Sequence, residues 1–354
     1  MIDSPTPRRT LRRLLAALVA ALAFGAQAAP SLGVTELAPR GDDGPVTVFY
    51  PAEAPEQPFR LGKALQLSLA RDAAPAAANG RLVMVSHGSG GSPWVHADLA
   101  RVLAGAGYTV AVASHRGDNY KDDGEPGPVS WDRRPAEISR GIDAVAADPR
   151  FGPHLLLDRV GVYGMSAGGH TALTLAGGRW SPALFARHCE AHVAEDFPAC
   201  VGLVTELTGG ALDGLKQGLA RTVIGWRFGS DDRLRDDADP RVAAVVAAVP
   251  FAADFDFESL RQPRVPLALA TAEGDRWLRP ALHAGRVLEV CRSCEHFEAP
   301  PLAGHGAYLS PLPAGFEGKV GRLLNDPPGF DRAAMAAVNR QVLDFFQRHV
   351  APAR

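Results

Sequence analysis

Charge of one sign, long apolar runs and paired metal motifs are all scarce in this chain, and each shortage removes a class of function. The 354 residues carry 37 lysines and arginines against 39 aspartates and glutamates, a net charge of −2 with histidine neutral. With no basic excess, the composition suggests neither a nucleic-acid partner nor an anionic membrane surface. There are four cysteines. A metal set built from Cys291, Cys294 and His296 lacks a second C-x-x-C, so no metal is expected. A thioredoxin-type pair is excluded because no helix is expected to open at Cys291. The glycine-rich loop after His87 is not followed by G-K-[ST], which argues against phosphate binding. The acids Asp118, Asp122, Asp123 and Glu125 miss the spacing of an EF-hand and are read as a solvated run, with His115 and Asn119 at a pocket edge. No internal repeat and no long polar linker appears, so residues 29–354 are expected to form a single domain.

The amino terminus reads as a leader. Arg8, Arg9, Arg12 and Arg13 precede an apolar run from Leu14 to Phe24, and Ala26-Gln27-Ala28 supplies an A-x-A cleavage pattern. The run is short for a bilayer span. Residues 1–28 are therefore expected to be a signal peptide, and cleavage leaves 33 basic and 38 acidic residues, a net −5. No stable membrane anchor is expected after cleavage, and the protein is expected in the periplasm or secreted. In that compartment an even number of cysteines reads as disulfides, and local pairing of Cys189 with Cys200 and of Cys291 with Cys294 is expected.

What the chain does have is alternation. Apolar runs at 46–50, 81–87, 108–114, 160–165, 242–249 and 265–271 read as strands, most of them buried on both faces, with a half-exposed strand at 65–69 and an edge strand at 297–301. Helices are expected at 93–106, 133–147, after Ser166, and at 331–350. This pattern predicts an α/β fold with a mostly parallel sheet covered on both faces.

One strand leads into Gly164-Met165-Ser166-Ala167-Gly168-Gly169 and then into a run of helix formers. Strand, tight turn and helix around G-x-S-x-G is the setting of a nucleophile elbow, which makes Ser166 the candidate nucleophile. A second glycine-rich turn, His87-Gly88-Ser89-Gly90-Gly91, ends another buried strand. In acyl-transfer sites built this way one oxyanion N–H follows the nucleophile and one comes from such a loop, which points to Ala167 and Ser89. His87 precedes the serine in the chain and is read as a prop for the loop rather than a base. Gly88, Trp94, His115 and Met165 are the candidate substrate contacts.

With Ala272-Glu273-Gly274-Asp275 and Gly304-His305-Gly306, these motifs resemble the α/β-hydrolase superfamily, and within it the dienelactone-hydrolase-like and platelet-activating-factor-acetylhydrolase-like serine esterases. Dienelactone hydrolases proper use cysteine as nucleophile, so the serine here favours a general esterase. The resemblance implies a lid or cap insertion at about 178–240, where the alternation fails. It also implies Asp275 as the triad acid, with Glu273, Asp254 and Asp256 as competitors, since acetylhydrolase relatives take the acid one strand earlier. His305 is the base that fits the order Ser, Asp, His and has glycines on both sides. The expected activity is hydrolysis of a short-chain acyl ester or lactone through an acyl-enzyme, with no cofactor, a small-molecule partner and a monomeric chain. The alternatives are a peptidase or amidase of the same fold, or a catalytically silent binding protein.

Overall fold

The computed structural model describes residues 30–62, 65–310 and 315–350. The expected signal peptide lies outside the described residues. Twelve strands are described: β1 (Ser31–Leu37), β2 (Val46–Ala52), β3 (Gln57–Leu61), β4 (Leu65–Arg71), β5 (Leu82–Ser86), β6 (Thr109–Ala113), β7 (Val160–Met165), β8 (Arg179–Trp180), β9 (Val242–Ala248), β10 (Phe255–Asp256), β11 (Leu267–Thr271) and β12 (Glu295–Glu298). Ten of them form one sheet in the order β12-β11-β9-β7-β5-β6-β2-β1-β4-β3, and β8 pairs with β10. From β6 to β12 every pairing is parallel, whereas β2 runs antiparallel to β1 and β6. The fold is thus α/β around a large, mostly parallel sheet.

The strand residues explain why the sheet is covered on both sides. Along β5, Leu82 and Met84 enter one apolar cluster while Val83 and Val85 enter the other. A strand with both faces buried has no polar position to spare, and so it reads as an unbroken apolar run. One cluster is closed by α1 (Ala97–Gly105) and by a C-terminal helix (Met335–His349), through Leu99, Leu103, Phe345 and Phe346. The opposite cluster is closed by α2 (Arg134–Ala146) and α3 (Ala167–Leu175), through Ile138, Ile142, Ala172 and Leu173.

Between β8 and β9 the chain forms α4 (Pro182–His192), α5 (Phe197–Val201) and α6 (Asp213–Phe228). Two short helices, α7 (Ala284–Val290) and α8 (Gly318–Leu324), precede the C-terminal helix, α9. Several boundaries differ from expectation: the edge strand expected at 297–301 is Glu295–Glu298, and the helix expected from 331 becomes α-helical at Met335. Strand β2 continues through Pro51, because β6 pairs with β2 only as far as Phe49 and the missing N–H breaks no ladder bond there. The expected helix from 93 starts as a 3₁₀ turn, Pro93–Val95, capped by the Ser92 side chain, and becomes α-helical at Ala97.

Both expected cystine pairs are present, Cys189–Cys200 and Cys291–Cys294. They point to an oxidising compartment. Among the described residues no helix is long and apolar enough to cross a membrane.

Candidate active site

Ser166 sits in a backbone conformation that its residue type rarely adopts, at φ 59° and ψ −118°. The turn is held from both sides: the Ser166 N–H donates to the Ala248 carbonyl (3.0 Å), and the Ser166 carbonyl accepts from the Phe251 N–H (3.1 Å). Val249 between those partners is itself at φ 37°, an outlier for a β-branched residue. Strain of this kind persists only where the surroundings over-determine it, and it gathers at functional sites. Small residues make the turn possible. A Cβ on Gly164 would strike the Gly168 carbonyl, and one on Gly168 would strike the Ser86 carbonyl.

The loop after β5 lies directly against this elbow: a Cβ on Gly88 would stand 3.3 Å from the Ser166 Cβ and 3.4 Å from the Met165 sulfur. Ala167 opens α3, so its N–H has no acceptor within the helix. Among the described residues the Ser89 N–H has no acceptor either. The two amides expected to meet an oxyanion are therefore free to donate.

What holds this loop was misread in the sequence. Asp118, expected in a solvated run, is wholly buried. One of its oxygens accepts from the Ser89 hydroxyl (2.6 Å) and the Gly90 N–H (2.9 Å). The other accepts from the Ser130 hydroxyl and from Arg134, both at 2.7 Å. Arg134, also buried, donates a second time to the His87 carbonyl (2.6 Å). Burial alone would raise the Asp118 pKa, but the Arg134 charge and these hydrogen bonds outweigh it and hold the carboxyl at about 2. His87 props the loop as expected. Burial first, then the neighbouring His115 and Arg134, pushes its pKa well below 6.5. The neutral ring donates from Nδ1 to the Gly88 carbonyl (2.7 Å) and accepts at Nε2 from the His115 N–H (3.4 Å).

The expected substrate contacts fare unevenly. His115 is a correction: it is wholly buried, with Nε2 on Ser86 Oγ (2.8 Å) and Nδ1 on Glu137 Oε2 (2.5 Å), and so braces the sheet edge instead of facing a ligand. Met165 is buried in the core behind the elbow. Trp94 packs on Phe59 (5.0 Å between centroids) and edge-on against Phe49. Of the four, Gly88 is the one that the loop after β5 brings against Ser166.

Asp275 and His305 form a closed pair. Asp275 follows β11 and His305 lies beyond β12, so both come from the strand ends at the same edge as Ser166 after β7. Asp275 Oδ2 lies 2.7 Å from His305 Nδ1, and both side chains are buried. The other carboxylate oxygen accepts from the Trp277 and Leu278 N–H groups (2.8 and 2.9 Å). The two loops are joined by the Gly274 N–H on the Ala303 carbonyl (2.9 Å), and the Trp277 ring lies over the imidazole at 5.4 Å. Arg332, from outside the motif, fixes the histidine turn by donating to the Gly306, Ala307 and Leu309 carbonyls.

Of the four acids weighed, only Asp275 meets His305. Glu273 is exposed, Asp256 pairs with Arg179 (2.8 Å), and Asp254 pairs with a different histidine, His170 (3.1 Å). No hydrogen bond joins Ser166 to His305. Such contacts are commonly long in ligand-free sites and tighten around substrate.

Sequence reasoning missed one further cluster. His188, Asp196 and His283 bring ligand atoms within 4.8 Å of one another. No local pattern signalled it: of the overlooked His188-x-x-x-His192 spacing on α4 only His188 joins the cluster. Hydrogen bonding decides how the cluster works. The Ala252 N–H donates to His283 Nδ1 (3.1 Å), which leaves the ring proton on Nε2, where it is given to Asp196 Oδ2 (2.9 Å). A metal-binding histidine needs a lone pair at that atom and donates from its other nitrogen. The cluster is therefore a proton-bridged clamp, with His188 on the same oxygen at 2.8 Å. The other candidate set is spent too: Cys291 and Cys294 are joined, and His296 bonds Thr271 Oγ1 (2.7 Å).

Comparison with protein-family models and with curated proteins finds no match to this chain.

Proposed function

We propose that the chain is a serine hydrolase of carboxylic esters with an α/β-hydrolase fold, exported to the periplasm or beyond the cell. The observation that carries this reading is the buried Asp275–His305 pair, built at the same sheet edge as a serine in a strained turn. Six consecutive parallel strands with the serine after β7 and the acid and base after later strands agree with it.

In this reading His305 takes the Ser166 proton as the hydroxyl attacks the ester carbonyl. Its Nδ1–H stays on Asp275, which fixes the tautomer and stabilises the imidazolium that forms. The developing oxyanion accepts from the Ser89 and Ala167 N–H groups, each worth about 3 kcal/mol in comparable sites. His305 then protonates the leaving alcohol. A water molecule repeats the sequence on the acyl-enzyme, with Ser166 as the leaving group.

The test is turnover of p-nitrophenyl esters of increasing acyl length, together with labelling by a fluorophosphonate read by intact mass. Wild type is expected to turn over short acyl esters and take one label, and Ser166→Ala to lose the label and at least about 10³-fold in kcat. Labelling with turnover of aminoacyl amides but not esters would make it an amidase. An unlabelled, correctly folded wild type would overturn the reading.

A further inference from the structure

Helix α6 is amphipathic the wrong way round. Its buried face is small, with Ala220 and Ile224 as its buried residues. Leu212, just before the helix, with Leu215 and Leu219 in it, keep 61 to 70 % of their surface in solvent, and Trp226 keeps 85 %. At 100° per residue these positions and the exposed Val223 fall within one 80° stripe, whose centre lies about 120° round the helix from the buried pair. The neighbouring turn adds Leu203 and Val204, both exposed. Scattered exposed leucines need no explanation, but a continuous stripe marks a site that something else covers.

The charges around the stripe indicate what that is. Lys216, Arg221 and Arg227 lie on α6 against a single acid, Asp213, so the helix is net +2 in a chain that is acidic overall. Lys216 and Arg227 border the stripe, Arg227 with its guanidinium over the Phe228 ring (5.3 Å), whereas Arg221 turns away from it and donates to the Glu190 carbonyl (3.2 Å). Lys319 caps the Leu203 and Val204 carbonyls (3.0 and 3.2 Å) and so adds another cation to the rim. A second copy of the chain would bring this positive face against itself. An apolar stripe with tryptophan at one end and cations along its border suits a bilayer interface, where the ring sits at headgroup depth and the cations meet anionic headgroups.

We propose that α6 and the Leu203–Val204 turn dock the protein on an anionic lipid surface, lying in the interface without crossing it. The whole-chain charge gave no sign of such a partner because it averages over this patch. The docking face also connects to the candidate active site. The turn is tied to α8 through Lys319 and through the Arg322–Glu206 ion pair (2.7 Å), and α8 packs under Gly306, next to His305. A lipid-bound molecule would therefore carry its histidine turn close to the surface.

The test is co-sedimentation of the intact protein with vesicles of equal parts phosphatidylcholine and phosphatidylglycerol, against phosphatidylcholine alone. Binding to the anionic vesicles is expected, with a blue shift in tryptophan emission that Trp226→Phe removes. The double variant Leu215→Asp, Leu219→Asp replaces solvent-facing side chains and should fold. It is expected to lower vesicle affinity by about tenfold or more, with far-UV dichroism and the melting temperature unchanged. Wild type that stays in the supernatant with anionic vesicles overturns the proposal. So does a dimer in sedimentation velocity that the double variant dissolves, since a second copy would then own the face. None of these readouts depends on catalysis.

Discussion

Asp275 uses its two oxygens for different work, and that division makes a sharp prediction. One oxygen is taken by two backbone N–H donors, and the other faces His305 Nδ1. In Asp275→Asn the backbone donors demand the amide oxygen, which turns the NH₂ toward the imidazole. Nδ1 must then accept, the ring proton moves to Nε2, and no lone pair remains to take the Ser166 proton. Fold and KM should hold while kcat falls by about 10⁴-fold, as measured by ester turnover beside the rate of fluorophosphonate labelling. The pairing of Asp275 with His305 was legible because chain order and flanking glycines restrict where such a pair can come from. Asp118 was not. Among Asp122, Asp123 and Glu125 it looks like one more solvated acid. What sets it apart is Arg134, which meets it only after α2 has folded back across the loop. His115 was misplaced for the same reason: its partner Glu137 lies 22 residues away.

At the scale of the element, the loop from His87 to Gly91 is held by a carboxylate that accepts four hydrogen bonds and has no room for a donor. Asp118→Asn must turn an NH₂ toward some of those donors and leaves the buried Arg134 charge unmatched. A loss of about 3 kcal/mol or more in urea unfolding is expected, with a fall in kcat as the Ser89 amide loosens. The pH dependence has a definite sign. The folded-state pKa of about 2 lies below the ordinary 3.8, so the group stabilises the fold above about pH 4 and loses that contribution as pH falls through about 2. Urea midpoints measured across that window should fall less steeply in Asp118→Asn than in wild type. The slope should not vanish, because Asp196 is likewise held at about 2 by His188 and His283 against its own burial. Strands were the most legible elements, since β5, β7, β9 and β11 are apolar on both faces. Strands β1 and β3 went unseen, and in β3, at the sheet margin, the sequence Gln57–Leu61 leaves most side chains in solvent and carries little pattern.

For the whole molecule, the segment between β8 and β9 was legible only as a place where alternation stops. Its helices are held by contacts that no local pattern encodes. Cys189–Cys200 closes a loop of 11 residues, and inside that loop Asp196 is gripped by His283 from the far side of the chain. Loop closure of that length is worth about 3 kcal/mol, and the three-residue span of Cys291–Cys294 about half as much. Replacing each cystine by a serine pair should lower stability in that order. The clamp and the first cystine restrain the same loop, so their effects should not add. Once Cys189 and Cys200 are serines, the loop can already leave His283, and Asp196→Asn has less to remove. The combined variant should therefore lose less than the sum of the two, by about 1 kcal/mol in a double-mutant cycle of urea unfolding. Additive losses would mean that His188 and His283 hold Asp196 in place whether or not the disulfide is present.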